Sequence, residues 1–116
     1  MSRAEAERRG RKGEGFAGLW LRLHGWRIVA RRVKTPRGEI DLVARRGGTV
    51  AFVEVKWRAG GEGLDTAIDA YRLRRVAAAA EAVAHRYARA SDTIRIDVLL
   101  LAPGRWPRHI VNAWQP

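Results

Sequence analysis

Two carboxylates in neighbouring strand-like segments are the residues of this chain best suited to chemistry. Residues 38–44 and 52–56 are both strongly apolar, and Gly47-Gly48 between them is typical of a two-residue hairpin turn, since glycine accepts positive φ. Facing residues in that hairpin have numbers that sum to 95, so Asp41 is predicted to lie opposite Glu54. Facing Cβ atoms are roughly 4.5–5.5 Å apart, and like charges there destabilise a sheet. The pair therefore predicts a site for a hard divalent cation, Mg²⁺ or Mn²⁺.

Lys56 completes this set, because strand period two places it on the face of Glu54, and the same hairpin puts Glu39 opposite it. An ammonium group there could orient an attacking water or stabilise charge on phosphoryl oxygens. Of the 23 basic residues only Lys12, Lys34 and Lys56 are lysine, so arginine-rich composition alone does not explain this one. The set predicts metal-dependent cleavage of nucleic acid, and the alternative is an ion pair on a solvated sheet face.

A wider pattern of residues carries a family resemblance. Asp41 followed by Glu54-Val55-Lys56 resembles the PD-(D/E)xK nuclease motif without its proline. Four blocks in order are similar to the YraN-like family of bacterial proteins: Gly13-Glu14, Gly38 to Val43, Phe52 to Lys56, and Arg95 to Val98. The resemblance covers about residues 10 to 101, which is most of the chain.

The resemblance implies both a fold and residue roles. The fold is the α/β, restriction-endonuclease-like one of Holliday-junction resolvases, with a mixed sheet of about five strands, the first three antiparallel, between two long helices. Asp41 and Glu54 would bind metal, Lys56 would handle the attacking water, and Glu14 would be an accessory catalytic acid. Resolvase-like relatives act as dimers, so a homodimer is expected.

Two positions depart from the family pattern. Arg32 stands where an asparagine usually precedes the Gly-Glu-Ile-Asp block. Tyr71-Arg72 stands where a lysine usually opens the second long helix. Both departures concern expected substrate contacts and leave the three central residues of the motif intact.

The net charge of +11 favours a polyanionic partner, DNA above all. Residues 1–46 hold 13 Lys/Arg against 5 Asp/Glu, whereas residues 47–116 hold 10 against 7, so the first part is predicted to face phosphates. For the arginines of the second helix, a solvated basic face is the alternative. The candidate nucleic-acid-binding residues are Arg8, Arg9, Arg11, Lys12, Arg31, Arg32, Arg72, Arg74 and Arg75.

Nothing in the chain is typical of a base-specific recognition helix. Trp57 and Trp106 could stack on unpaired bases, although core packing is the alternative for most of the five tryptophans. We therefore expect branched or single-stranded DNA as the partner, and a non-catalytic nucleic-acid-binding protein that keeps the nuclease fold is the second hypothesis.

Composition excludes several other classes. There is no cysteine, hence no disulfide framework or thiolate zinc site. No apolar run reaches ~18 residues, so no membrane span is expected, and charges interrupt the N-terminus where a signal peptide would be apolar, so a cytoplasmic protein is expected. The three histidines lack ligand spacing, and 116 residues suit a single domain, residues 1–116.

Periodicity predicts the elements that position these residues. A helix is predicted over 3–24, with an apolar stripe of Phe16, Leu19, Trp20 and Leu23, and it ends at Gly25. One strand is predicted before the hairpin, over 26–33, and another after it, over 93–101. A loop is predicted over 58–63, a helix over 66–89 with Asp65 as its cap, and a last strand over 109–114. Arg95 and Asp97 are predicted to form a structural ion pair.

Overall fold

The computed structural model describes residues 15–57 and 70–114. Its strands are β1 (Arg27–Thr35), β2 (Gly38–Arg46), β3 (Thr49–Trp57), β4 (Thr93–Leu101) and β5 (Arg108–Ile110), and its helices are α1, described over 15–23, and α2 (Ala70–Tyr87). Neither described helix is long and apolar enough to cross a bilayer. Several predicted features lie outside the described residues: Glu14, Arg8, Arg9, Arg11, Lys12, Asp65 and the loop over 58–63.

The five strands form one mixed sheet in the order β1-β2-β3-β4-β5. Strands β1 to β3 are antiparallel, β3 and β4 are parallel, and β5 returns antiparallel to β4. The expected α/β architecture is therefore confirmed, including its antiparallel first three strands. The predicted bounds of β4 are confirmed as well, whereas β5 ends at Ile110, short of the predicted Trp114.

The β2–β3 hairpin has the predicted register. Pairs run from Leu42–Val53 to Arg46–Thr49, and the numbers of each pair sum to 95. Gly47 takes φ of 59° at the turn, and Gly48 does not take a positive φ. This is the pattern of a type II′ turn, in which only the first central residue needs a positive φ.

One helix covers each face of the sheet. Helix α2 buries Leu73, Val76 and Val83 against a cluster that includes Phe52, as its periodicity predicts. Helix α1 contacts the other face through Ala17 and Leu21, within a cluster that includes Trp26 and Val53.

Of the apolar stripe predicted for α1, only Trp20 packs against the core cluster, whereas Phe16, Leu19 and Leu23 are exposed. The fully buried side of the helix carries Ala17 and Leu21 instead. Gly18 also lies on the buried side, where a Cβ would lie 2.9 Å from Nη2 of the Arg31 side chain on β1. The helix ends at Gly25 as predicted, where the N–H of Trp26 donates to Leu21 O at 2.9 Å.

Arg32 interrupts the regular alternation of β1. Its φ is +50°, a left-handed value that is uncommon for residues other than glycine and is enriched in asparagine. Arg31 lies against Gly18 of α1, whereas Val33, two positions further on, packs on the α2 face. A separate register shift of β1 lies between Ile28 and Ala30.

This backbone conformation predicts an unusual order of stabilities at Arg32. Arg32→Gly should be more stable than Arg32→Ala by about 1 kcal/mol, because the left-handed conformation costs a residue with a Cβ about that much. Both changes remove the same arginine contacts, so the comparison isolates the backbone. Urea denaturation measures the difference. At the neighbouring exposed strand residue Arg31 the order should reverse, since glycine weakens an ordinary strand. The same order at both positions would contradict the interpretation.

Candidate active site

A cleft of about 310 Å³ opens between the sheet and α2. It contains both predicted metal ligands and two of the predicted phosphate-binding arginines. Its lining residues are Gly38, Glu39, Asp41, Glu54, Arg72, Arg75 and Val76. The cleft therefore combines residues from β2, β3 and α2 that are distant in sequence.

The sheet brings Glu54 to this cleft and Lys56 next to Glu54. Val50 and Phe52 of β3 point into the core beneath α2. Alternation along the same strand then places Glu54 and Lys56 on that face, at 3% and 7% exposure. The Nζ atom of Lys56 lies 3.6 Å from Oε1 of Glu54, which confirms the predicted shared face.

A different contact from the predicted one holds Asp41 in the cleft. The described β2–β3 ladder ends at the Leu42–Val53 pair, so Asp41 and Glu54 are not a ladder pair, and neither are Glu39 and Lys56. Instead the N–H of Val55 donates to Oδ2 of Asp41 at 2.8 Å. The carboxylate thus binds a backbone N–H of β3 just beyond the end of the ladder, where β2 changes the facing of its side chains.

Arg72 is the second cation on Glu54. Its Nε and Nη2 atoms lie 2.9 and 2.7 Å from Oε1 of Glu54. Leu73 and Val76 pack α2 against the sheet, and this packing positions Arg72 on the cleft side of the helix. One carboxylate oxygen thus lies next to a guanidinium and an ammonium. The sequence predicts Arg72 as a phosphate ligand or as part of a solvated basic face, and the pairing with Glu54 is an additional finding.

The donor groups of the cleft fit a small divalent cation. Among residues 15–57 and 70–114 no three His, Cys, Asp or Glu side chains form a metal-binding group. Mg²⁺, however, is commonly bound by one or two carboxylates, with water and substrate phosphate as its other ligands. Asp41 and Glu54 in one open cleft meet that requirement.

The remaining predicted nucleic-acid ligands do not all converge on the cleft. Arg75 lines it, and Arg74 lies exposed on α2. Arg31 lies on the opposite face, against Gly18 of α1, and Arg32 is exposed at the left-handed position of β1.

The two tryptophans considered for base stacking differ in exposure. Trp57 is half-buried against the α1 side of the core, whereas Trp106 is 91% exposed. Trp106 stands between the exposed Arg105 and Arg108 in the connection from β4 to β5. Of the two tryptophans proposed for base stacking, Trp106 therefore has the accessible ring.

A second polar cluster lies on the α1 face of the sheet. Asp97 is fully buried and accepts hydrogen bonds from Arg95 Nη2 at 2.8 Å and from the N–H of Asn112 at 2.9 Å, and His109 Nε2 lies 2.8 Å from it. Burial by itself raises the pKa of Asp97, but these three contacts outweigh it and hold that pKa below its usual value. The predicted Arg95–Asp97 ion pair is confirmed, and His109, which showed no ligand spacing, is an additional partner.

Comparison with known proteins agrees with the blocks that carry the site. A model of the uncharacterised protein family UPF0102 matches residues 13–101, which include Asp41, Glu54 and Lys56. The chain belongs to this family. A UPF0102 protein of Sphingopyxis alaskensis is 67% identical over 116 residues, with both chains fully covered, and one of Erythrobacter litoralis is 69% identical over 116 residues, with the same coverage.

More distant relatives keep the likeness over nearly the whole chain. A UPF0102 protein of Parvibaculum lavamentivorans is 49% identical over 112 residues, covering 96% of this chain and 84% of the relative. The names of these relatives state family membership and no activity. The comparisons therefore establish the family, and the chemistry has to be argued from the cleft.

Proposed function

We propose that this UPF0102 protein is a metal-dependent nuclease that hydrolyses phosphodiester bonds in branched or single-stranded DNA. One observation carries the proposal: Asp41 and Glu54 line the same cleft as Arg72 and Arg75, and the buried ammonium of Lys56 lies 3.6 Å from Glu54. Two carboxylates, a lysine and phosphate-binding cations are the groups that metal-assisted phosphodiester hydrolysis requires.

The roles follow from the position of each side chain. Asp41 and Glu54 would hold Mg²⁺ or Mn²⁺, which lowers the pKa of a coordinated water and polarises a phosphoryl oxygen. Lys56, held next to Glu54, would stabilise the negative charge that develops on the phosphoryl oxygens. Arg75 at the wall of the cleft would bind a flanking phosphate.

The exposed Trp106 supports a preference for unpaired bases. Stacking of a base on an aromatic ring contributes about 1–3 kcal/mol and tolerates any sequence. Arg105 and Arg108, which flank Trp106 within two positions in the sequence, would supply cations for nearby phosphates. Duplex DNA offers such a ring no free base face except at a branch, end or gap.

A second candidate function also has an observation in its favour. Glu54 already has two cationic partners, Arg72 and Lys56, so the cleft is close to electroneutral without a metal. A non-catalytic nucleic-acid-binding protein that retains the nuclease fold would have this arrangement permanently. Metal affinity separates the two candidates.

Asp41→Asn should weaken Mg²⁺ or Mn²⁺ binding at least about tenfold, since even partners outside the first coordination sphere change metal affinity by that much. Asparagine keeps an oxygen that can accept the N–H of Val55, so the change removes charge and spares the backbone contact. Isothermal titration calorimetry measures the metal affinity, and we expect one binding site for each protein chain.

Glu39→Gln is the matched control, because Glu39 lines the same cleft and loses the same charge. Glu39→Gln should weaken metal binding much less than Asp41→Asn does. Equal losses in the two variants would mean that the cleft attracts cations without a defined site. Unchanged affinity in Asp41→Asn would remove Asp41 from the metal site and favour the non-catalytic candidate.

A further inference from the structure

The Arg72–Glu54 pair joins two side chains with very different access to solvent. The side chain of Glu54 is 4% exposed, and that of Arg72 is 58% exposed. Both nitrogens that Arg72 directs at Glu54 reach the same oxygen, Oε1. The guanidinium therefore approaches the buried carboxylate from the open side of the cleft, which Asp41 also lines.

We propose that Arg72 exchanges partners: it pairs with Glu54 in the free protein and moves to a phosphate of the nucleic acid when a divalent cation binds Glu54. The inference rests on the proposed function and adds how its site is regulated. Its consequence is that metal and nucleic acid bind cooperatively, each making the site more favourable for the other.

The charges at the site make this exchange necessary. Glu39, Asp41 and Glu54 supply three negative charges, and Arg72, Arg75 and the adjacent Lys56 supply three positive ones. A divalent cation that enters this balanced site meets little net attraction while Arg72 remains on Glu54. Departure of Arg72 restores the negative charge that holds the cation.

The chemistry of arginine makes the exchange feasible. The guanidinium binds carboxylates and phosphates through the same planar set of N–H donors, so a phosphate can replace Glu54 as its partner. Leu73 and Val76 hold α2 on the sheet, and the exposed Arg72 side chain can turn without moving the helix. The exchange therefore needs only side-chain rotation.

Cooperativity of this kind is reciprocal, since the factor by which DNA raises metal affinity equals the factor by which metal raises DNA affinity. Such factors are typically about 5–150. If Arg72 carries the coupling, a variant without its charge should bind metal more tightly when alone. This direction is the opposite of what loss of an ordinary active-site residue produces.

The first measurement is Mn²⁺ titration calorimetry without nucleic acid. Arg72→Gln should bind Mn²⁺ at least about fivefold more tightly than the parent protein, because Glu54 no longer has its arginine partner. Arg75→Gln is the matched control, because it also removes one positive charge from the cleft. The Arg75 guanidinium lies over the Tyr71 ring, 6.0 Å from its centroid, so its removal tests the effect of charge alone. A general charge effect would strengthen binding equally in both variants, whereas the exchange strengthens it mainly in Arg72→Gln.

The second measurement tests the coupling with a forked DNA. Fluorescence anisotropy gives the Kd for the fork with and without Mn²⁺ at low temperature, and a denaturing gel checks that the fork is intact. Mn²⁺ should tighten fork binding by the parent protein at least about fivefold and should tighten binding by Arg72→Gln far less. Arg72→Lys, which keeps the charge but not the paired N–H donors, should retain an intermediate coupling and serves if the glutamine variant is poorly folded.

The outcomes distinguish the inference from the function on which it rests. Equal Mn²⁺ affinity of the parent protein and Arg72→Gln, together with weaker binding by Asp41→Asn, would overturn the exchange and leave the metal site standing. Failure of the parent protein and both Arg72 variants to bind Mn²⁺, with or without the fork, would overturn the proposed function and the exchange together. Tighter Mn²⁺ binding by Arg72→Gln than by Arg75→Gln supports both.

Discussion

Lys56→Met should reduce DNA cleavage by ~10²–10³, the range measured when one positioned donor to a transition-state oxyanion is removed. Its affinity for DNA should stay nearly unchanged, because the chain keeps 22 of its 23 basic residues. Methionine has a similar length and suits a side chain that is only 8% exposed, so we expect the variant to fold. Cleavage of a labelled fork under single-turnover conditions measures the rate, and anisotropy measures the affinity.

Lys34→Met provides the matched control, since Lys34 is an exposed lysine on β1. It should cleave at the parent rate. If Lys56→Met also retains the parent rate on branched, single-stranded and linear substrates, the observed activity belongs to another site or to a contaminant. Loss of DNA binding together with loss of cleavage would instead indicate that Lys56 acts in substrate binding.

The sequence predicts much of this site because the hairpin is a local structure. Gly47-Gly48 determines the register of β2 against β3, and strand alternation then places Glu54 and Lys56 on one face. Both steps involve residues within about ten positions of one another, where turn chemistry and side-chain period act directly. The apolar residues of α2 could be assigned to the core for the same reason, because their spacing follows the helical period.

Other features depend on packing between distant segments. Asp41 accepts the N–H of Val55 beyond the last described pair of the β2–β3 ladder, and the turn signal at Gly47-Gly48 does not indicate where that ladder ends. Arg72 is 18 residues from Glu54, and their pairing depends on how α2 lies across the sheet.

The buried face of α1 follows the same rule. Hydrophobicity favours Phe16 and Leu23 as core residues, but the side of α1 that packs on the sheet carries Ala17, Gly18 and Leu21.

Asp97→Ala should destabilise the protein by ~3 kcal/mol or more at pH 7, because removal of one partner of a buried ion pair leaves the other without compensation. Asp97 is fully buried and contacts Arg95, His109 and the N–H of Asn112, so its loss affects β4, β5 and the segment after β5 together. Urea denaturation measures the free energy of unfolding. Glu81→Gln, which changes an 81% exposed carboxylate 4.0 Å from Arg37, should change it by less than ~1 kcal/mol.

The stability difference between the parent protein and Asp97→Asn should depend on pH in a defined direction. The folded pKa of Asp97 is below its ordinary value, so its ionised form contributes stability above the unfolded pKa of about 3.9. That contribution is lost as the pH falls through the folded pKa, and the difference between the two proteins should shrink below about pH 4. Asp92, whose pKa is lowered to about 2 by hydrogen bonds from Arg45 and the N–H of Arg89, titrates in both proteins and cancels from the difference. A difference that stays constant from pH 7 to pH 3 would show that Asp97 stabilises the sheet through its shape and hydrogen bonds and that its charge contributes nothing.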